Sequence, residues 1–187
     1  MVERIRSFIA IDIDEPELLK RVLEIQRQVI ATGARMKPVE PENLHITIRF
    51  LGEITRGMVE EVKRLLAGLR FKPFTIVIKG LGAFPNTRRP RVIWLGVSEG
   101  ADQIERLYRE IEQGLRRLGF PAEREQFVPH LTLARIKAPN AALVRLLDEL
   151  KEVEVGAMTV RAVRLKKSTL TSRGPIYETL FEARAVE

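Results

Sequence analysis

An α+β fold is predicted from three features of the chain. Strand-like and helix-like segments alternate along its 187 residues, in the order β-α-β-α-β-β and then α-β-α-β-β. Strands that follow one another in sequence can pair locally with helices on one face, which favours α+β over a doubly wound parallel sheet. No linker, low-complexity tract or charge block cuts the chain, so a single compact domain, or two small lobes sharing one core, is expected.

Each element has a local reason. Arg4–Ile13 alternates and is rich in isoleucine, the pattern of a strand. Asp14 is the expected cap of a following helix, with Pro16 tolerated in its first turn and Glu17 three residues on. Leu18, Val22, Ile25 and Val29 fall at helical spacing, and Gly33 can end that helix. Leu44–Leu51 is the next strand. Thr55 caps a helix whose apolar face is Met58, Val62, Leu65, Leu66 and Leu69. Phe74–Lys79 and Arg91–Val97 read as strands joined by a Gly/Pro/Asn loop. Ile104, Leu107, Tyr108, Ile111, Leu115 and Leu118 mark a helix closed by Gly119. Phe127–Ile136 is a strand, and Asn140 caps a short helix through Leu150. Ala157–Thr169 and Ile176–Ala183 are expected to be the closing strands.

Composition narrows the class of function. The 32 Lys and Arg residues exceed the 25 Asp and Glu by seven, a surplus that suits a polyanion or an anionic small substrate. Cysteine is absent, which excludes disulfides, a thiol nucleophile and a thiolate metal site. No apolar run approaches the ~18 residues of a membrane span, and the first residues lack the pattern of a signal peptide. A cytoplasmic protein without membrane contact is expected.

The chain has two histidines, 85 residues apart, close to half its length. His45 begins HITI and His130 begins HLTL. Matched surroundings at half-length suggest a duplicated unit. On a strand, side chains alternate, so His45 and Thr47 share one face while Ile46, Ile48 and Phe50 point to the other, into a core. His130 and Thr132 repeat that division against Leu131 and Leu133. A pseudo-two-fold fold would bring both strands to one cleft holding two proton-transfer groups and two hydroxyl donors. Such a set suits phosphodiester chemistry, in which a base serves the incoming oxygen and an acid the leaving oxygen on opposite sides of phosphorus. Imidazole, with a pKa near 6.5, can serve either role near neutrality.

Other chemistries fit less well. A zinc site would need carboxylates beside the histidines, and no acid lies in a matching frame, although Asp12 and Asp14 could be recruited in space. No metal and no cofactor is expected. A serine nucleophile elbow is missing, as is a phosphate-binding P-loop, and Gly80-Leu-Gly82 lacks the third glycine of a dinucleotide loop. Arg88-Arg89-Pro90-Arg91 is either a solvated loop or an RNA-backbone contact. Trp94, within an apolar strand, reads as core rather than as a base-stacking platform.

The paired motifs resemble those of the two-histidine phosphoesterases, and within them the RNA 2′,3′-cyclic phosphodiesterases, also called 2′-5′ RNA ligases. The hallmark H-x-[ST]-x pair is matched by His45–Ile48 and His130–Leu133. The resemblance continues in RSFIAIDI at the start, PENLHITIRFLGEI (41–54), GLGAFPNTRRPRVIWLGV (80–97), FVPHLTLARI (127–136) and KSTLTSRGPIYETL (167–180). It implies a bilobed pseudo-two-fold fold, with two antiparallel sheets flanking a central cleft and helices outside. Residues 1–187 would form one two-lobed domain with both chain ends in one lobe.

The resemblance also implies a metal-independent reaction in which water opens a 2′,3′-cyclic phosphate to a 2′-phosphomonoester. His45 would protonate the leaving 3′ oxygen, His130 would activate water, and Thr47 and Thr132 would grip the phosphate. The family pattern places an arginine five residues after the second histidine, here Arg135, although strict alternation turns it away from His130. Arg49 falls on the face of His45 and is a candidate for substrate binding; relatives often carry lysine there. A tryptophan often found before the first motif is missing from Arg35-Met36-Lys37-Pro38. The implied partners are RNA with 2′,3′-cyclic phosphate ends, such as tRNA halves, or cyclic nucleotides, acted on by a monomer. The same site run in reverse would join such an end to a 5′-hydroxyl end as a 2′-5′ ligase. A non-catalytic RNA-binding module is the remaining alternative.

Overall fold

The computed structural model describes residues 2–187. Its elements are β1 (Arg4–Asp12), α1 (Pro16–Ala31), β2 (Arg35–Pro38), a 3-10 turn (Pro41–Asn43), β3 (His45–Thr55), α2 (Arg56–Ala67), β4 (Phe74–Phe84), β5 (Val92–Val97), α3 (Ala101–Arg117), β6 (His130–Ala138), α4 (Ala141–Glu149), β7 (Glu154–Val160), β8 (Ala162–Thr171) and β9 (Gly174–Arg184). The α+β class read from the sequence holds.

The strands run β7-β4-β5-β6-β3-β1-β8-β9, with β2 added on β6. Every pairing is antiparallel. The path divides at its middle, where β3 and β6 share a single register pair, Ile46 with Leu131. On one side lie β3, β1, β8 and β9; on the other lie β6, β5, β4 and β7. The two expected sheets are the halves of this path, and the two histidine strands are its innermost members.

The helices bury the apolar stripes that their spacing implies. Leu18, Val22, Ile25 and Val29 are buried on α1, and Ile104, Leu107, Ile111 and Leu115 on α3. Thr55 and Asn140 accept hydrogen bonds from the amides of Met58 and Leu143, the N-caps expected of them. Helix α1 departs from expectation. Its cap is Glu15, whose Oε2 accepts from the Leu18 amide at 2.7 Å. Asp14 instead stands 3.5 Å from Arg164.

Two further differences concern strands. β2 is not predicted from the sequence, because four residues carry too little periodicity to read; its pairing to β6 creates it. The segment expected as one strand, Ala157–Thr169, is two. β7 pairs with β4 and β8 pairs with β1, so the chain changes halves at Arg161. Both strands bury apolar residues, so hydrophobicity does not mark the break.

Candidate active site

The histidine strands carry the same irregularity. On β3, Ala10 faces Thr47 but Ile9 faces Arg49, which leaves Ile48 as an extra residue. On β6, Trp94 faces Thr132 but Ile93 faces Ala134, which leaves Leu133 extra. A β-bulge of this kind reverses the side-chain alternation beyond it. Arg135 is thereby turned to the face of His130, where strict alternation would have denied it.

On β3 the bulge corrects two expectations. Arg49 does not stay on the face of His45. It turns inward to 7% exposure, while Phe50, assigned to the core, turns out to 58%. The Arg49 guanidinium pairs with Glu112 of α3 at 2.9 Å and with Glu123 at 3.5 Å. It also donates to the carbonyls of Phe50 and Pro121. Arg49 therefore ties β3 to α3 and to the loop that leads into β6. It does not line the cleft.

The central register pair converges the two motifs. Extending Ile46–Leu131 by one residue each way sets His45 across from Thr132 and Thr47 across from His130. In antiparallel strands the residues that flank a register pair point to the same face. His45, Thr47, His130, Thr132 and Arg135 line one cleft of about 430 Å³. Ile46 and Leu131, fully buried, anchor the opposite face.

Both rings are oriented by the same device. His45 Nδ1 donates to the Asn43 carbonyl at 2.6 Å, and His130 Nδ1 donates to the Val128 carbonyl at 2.7 Å. A carbonyl can only accept, so Nδ1 bears the proton and Nε2 is the exchanging nitrogen. His45 Nε2 lies 2.8 Å from Thr47 Oγ1. The pKa of His45 is lowered from its ordinary 6.5, chiefly by burial; the Asn43 carbonyl and Asp12 oppose the shift, and Lys166 and His130 add to it.

Aromatic walls hold the rings, and sequence reading assigns none of them to the site. Phe8 lies 4.9 Å and Tyr177 5.4 Å from His45, centroid to centroid. Phe84 lies 5.0 Å and Trp94 6.4 Å from His130. Trp94 thus backs a site residue instead of serving only as core. Its ring covers Gly82, where an added Cβ would collide with it. The signal for Tyr177 and Phe84 is present in the motif segments 167–180 and 80–97, but only strand pairing shows which residues face the histidines.

Charge in the cleft is biased. Lys37 and Arg135 are register partners on β2 and β6, and both line the cleft. Arg6 and Arg173 also line it, and Glu40 is the acidic lining residue. The arginine run 88–91 lies elsewhere, in an exposed turn where Asn86 Oδ1 accepts from the Arg88 and Arg89 amides. Among the described residues, no group of three or more His, Asp or Glu side chains is gathered that could hold a metal ion. None of the described helices is long and apolar enough to cross a membrane.

The chain is similar to known proteins in sequence and in fold. The family model for LigT-like phosphoesterases matches the chain twice in succession, over residues 11–94 and 95–177. Each match contains one histidine motif, so the half-length spacing is that of one family unit. The chain is 46% identical to the RNA 2′,3′-cyclic phosphodiesterase of Aeropyrum pernix over 170 residues, 90% of this chain and 97% of that protein. It is 43% identical to that of Methanothermobacter thermautotrophicus over 178 residues, 93% and 95% of the two chains. A crystal structure of a Thermus thermophilus protein superposes with a TM-score of 0.83 at 30% identity, covering 98% of this chain and all of that one. Escherichia coli LigT in complex with 3′-AMP shares the fold, with a TM-score of 0.82 at 24% identity over 99% of this chain and 100% of that one. With two copies of the family unit, each placing its histidine on an innermost strand, the chain belongs to the LigT-like phosphoesterases.

Proposed function

We propose that this protein hydrolyses the 2′,3′-cyclic phosphate of RNA or nucleotide ends to a 2′-phosphomonoester, with His45 and His130 sharing the proton transfers. The observation that carries the reading is the Ile46–Leu131 register, which sets two imidazoles and two threonines on one face around one cleft. The cyclic phosphodiesterase relatives named above support the choice of substrate.

In this reaction a water oxygen bonds to phosphorus and the bond to the 3′ oxygen breaks. One imidazole takes the water proton and the other gives a proton to the 3′ oxygen. Thr47 and Thr132 donate to the non-bridging oxygens, and Arg135 adds a fixed positive charge there. In the assignment implied by the family resemblance, His45 is the acid and His130 the base. Burial favours neutral His45 in the free enzyme, so the acid role requires the bound phosphate to restore its proton. An anion in the same low-dielectric cleft raises the pKa of a nearby imidazole and does this. The reading carries with it a single two-lobed domain, working as a monomer in the cytoplasm on ends such as those of tRNA halves.

The test is turnover of a nucleoside 2′,3′-cyclic phosphate with the product position determined. A 2′-phosphate product is expected, with hydrolysis persisting in chelator and lost in His45→Ala and His130→Ala. A 3′-phosphate product, or normal turnover by both variants, overturns it.

A further inference from the structure

The cleft is longer than one phosphate requires. It continues past Phe50 over Gly52, whose φ is +73° and whose added Cβ would meet nothing within 4 Å, and along β1 to Arg6 and Ser7. Bulges shorten the path: the β1 partners of Thr47 and Gly52 are Ala10 and Ser7, three residues apart, roughly 10 Å at about 3.3 Å per residue. Arg6 precedes Phe8, which packs on His45, by two residues of β1, about 7 Å, so a group held by Arg6 stands beside the reacting phosphate and not between the imidazoles.

Register shows which side chains meet there. Ser7 of β1 pairs with Gly52 of β3 and with Lys167 of β8. Extending the β1–β8 register by one residue sets Arg6 beside Ser168, and Ser168 pairs with Tyr177 of β9. A guanidinium, a hydroxyl and a phenol thus stand in one row across three adjacent strands, and all three residues line the cleft.

The row is rich in donors and has no acid paired to it. Arg6 makes no ion pair with a described residue, although Glu53 is its register partner on β3. Burial raises the Tyr177 phenol pKa, and the charges of Arg135 and Arg6, both lining the cleft, oppose that shift. Ser7, the neighbour of Arg6, turns to the opposite face with buried Ile5 and Ile9, and is 2% exposed.

We propose that Arg6, Ser168 and Tyr177 form a second anion subsite that holds the phosphate on the 5′ side of the terminal nucleoside. The inference rests on the cyclic-phosphate reading and sharpens it. The preferred substrate is the cyclic end of a chain, or a 5′-phosphorylated nucleotide, rather than a nucleoside cyclic phosphate with a free 5′-hydroxyl.

The test compares adenosine 2′,3′-cyclic phosphate bearing a 5′-hydroxyl with the same compound bearing a 5′-phosphate. The native enzyme should show a KM about tenfold lower for the 5′-phosphate form, the size of one charge-assisted contact, and this advantage should shrink as salt is raised. Arg6→Gln should erase the advantage and leave turnover of the 5′-hydroxyl form unchanged; Ser168→Ala should reduce it in part. Equal KM values in the native enzyme, or a full advantage kept by Arg6→Gln, overturn the subsite. Calorimetric binding of adenosine 2′-phosphate and adenosine 2′,5′-bisphosphate separates the two readings. Tighter binding of the bisphosphate that depends on Arg6, without turnover of either cyclic compound, sustains the subsite and defeats the activity. Turnover with equal affinities does the reverse.

Discussion

The β3 and β6 halves of the site share their local geometry and differ in what surrounds it. In each, a histidine donates Nδ1–H to the carbonyl two residues before it. In each, a bulge follows the threonine, and the fifth residue after the histidine turns into the cleft. On β6 that residue is Arg135, and on β3 it is Phe50. The residue before it is Ala134 on one side and the ion-paired Arg49 on the other. The fifth position is therefore cationic on β6 and aromatic on β3. The repeated unit supplies two similarly held imidazoles, and divergence around them makes their surroundings unequal.

The largest effects should come from the rings, where the halves are most alike. His45→Ala and His130→Ala should each lower kcat by about 10²–10⁴-fold, and the double variant should lose far less than the product of the two, as expected of groups acting in one step. A clearly additive double variant would mean that the histidines serve separate events. The second effect lies in the asymmetric buried charge. Arg49→Met leaves Glu112 buried without its partner and should cost about 3–5 kcal/mol of stability, measured by denaturant unfolding. Adding Glu112→Leu should recover much of that loss, and failure to recover would show that Arg49 acts mainly through the backbone carbonyls it binds.

Arg135→Gln should raise KM about tenfold for a cyclic phosphate with little change in the kcat pH profile. Phe50→Ala, at the matching position of the other half, should not imitate it; equal effects would remove the distinction between the two fifth positions. The smallest effect is on stability against pH. The folded pKa of His45 lies below its unfolded value of 6.5. Below 6.5 the unfolded chain therefore binds more protons, and stability falls as pH drops from 6.5 toward the folded pKa; above 6.5 the contribution is complete. His45→Asn should lack that decline, so its Tm relative to the native protein should rise on acidification and stay level above neutrality. A constant difference across pH would contradict the burial of the ring.

Much of this is legible in the sequence, and the limits have physical causes. The helix faces and the caps Thr55 and Asn140 follow from local rules, because cap and stripe lie within a few residues of each other. Asp14 is misassigned from sequence because adjacent acids at the start of α1 are equivalent to local rules, and the choice of Glu15 is made with Arg164, distant in the chain. The motif pair itself is readable. The exchange of Arg49 and Phe50 is not, because a bulge depends on how a strand registers with its neighbour, and alternation alone cannot place it. The same device carries Arg135 into the cleft. Tyr177 and Arg6 reach the site only through pairing across β1, β8 and β9, which no single segment encodes.

The central claim is that the two motifs act on one phosphorus. Its most direct test is a crystal structure with a nucleoside 2′-phosphate bound. A single phosphate should lie between the rings, with different oxygens within about 3 Å of His45 Nε2 and of His130 Nε2. A phosphate held by one ring while the other faces a separate space would contradict the account.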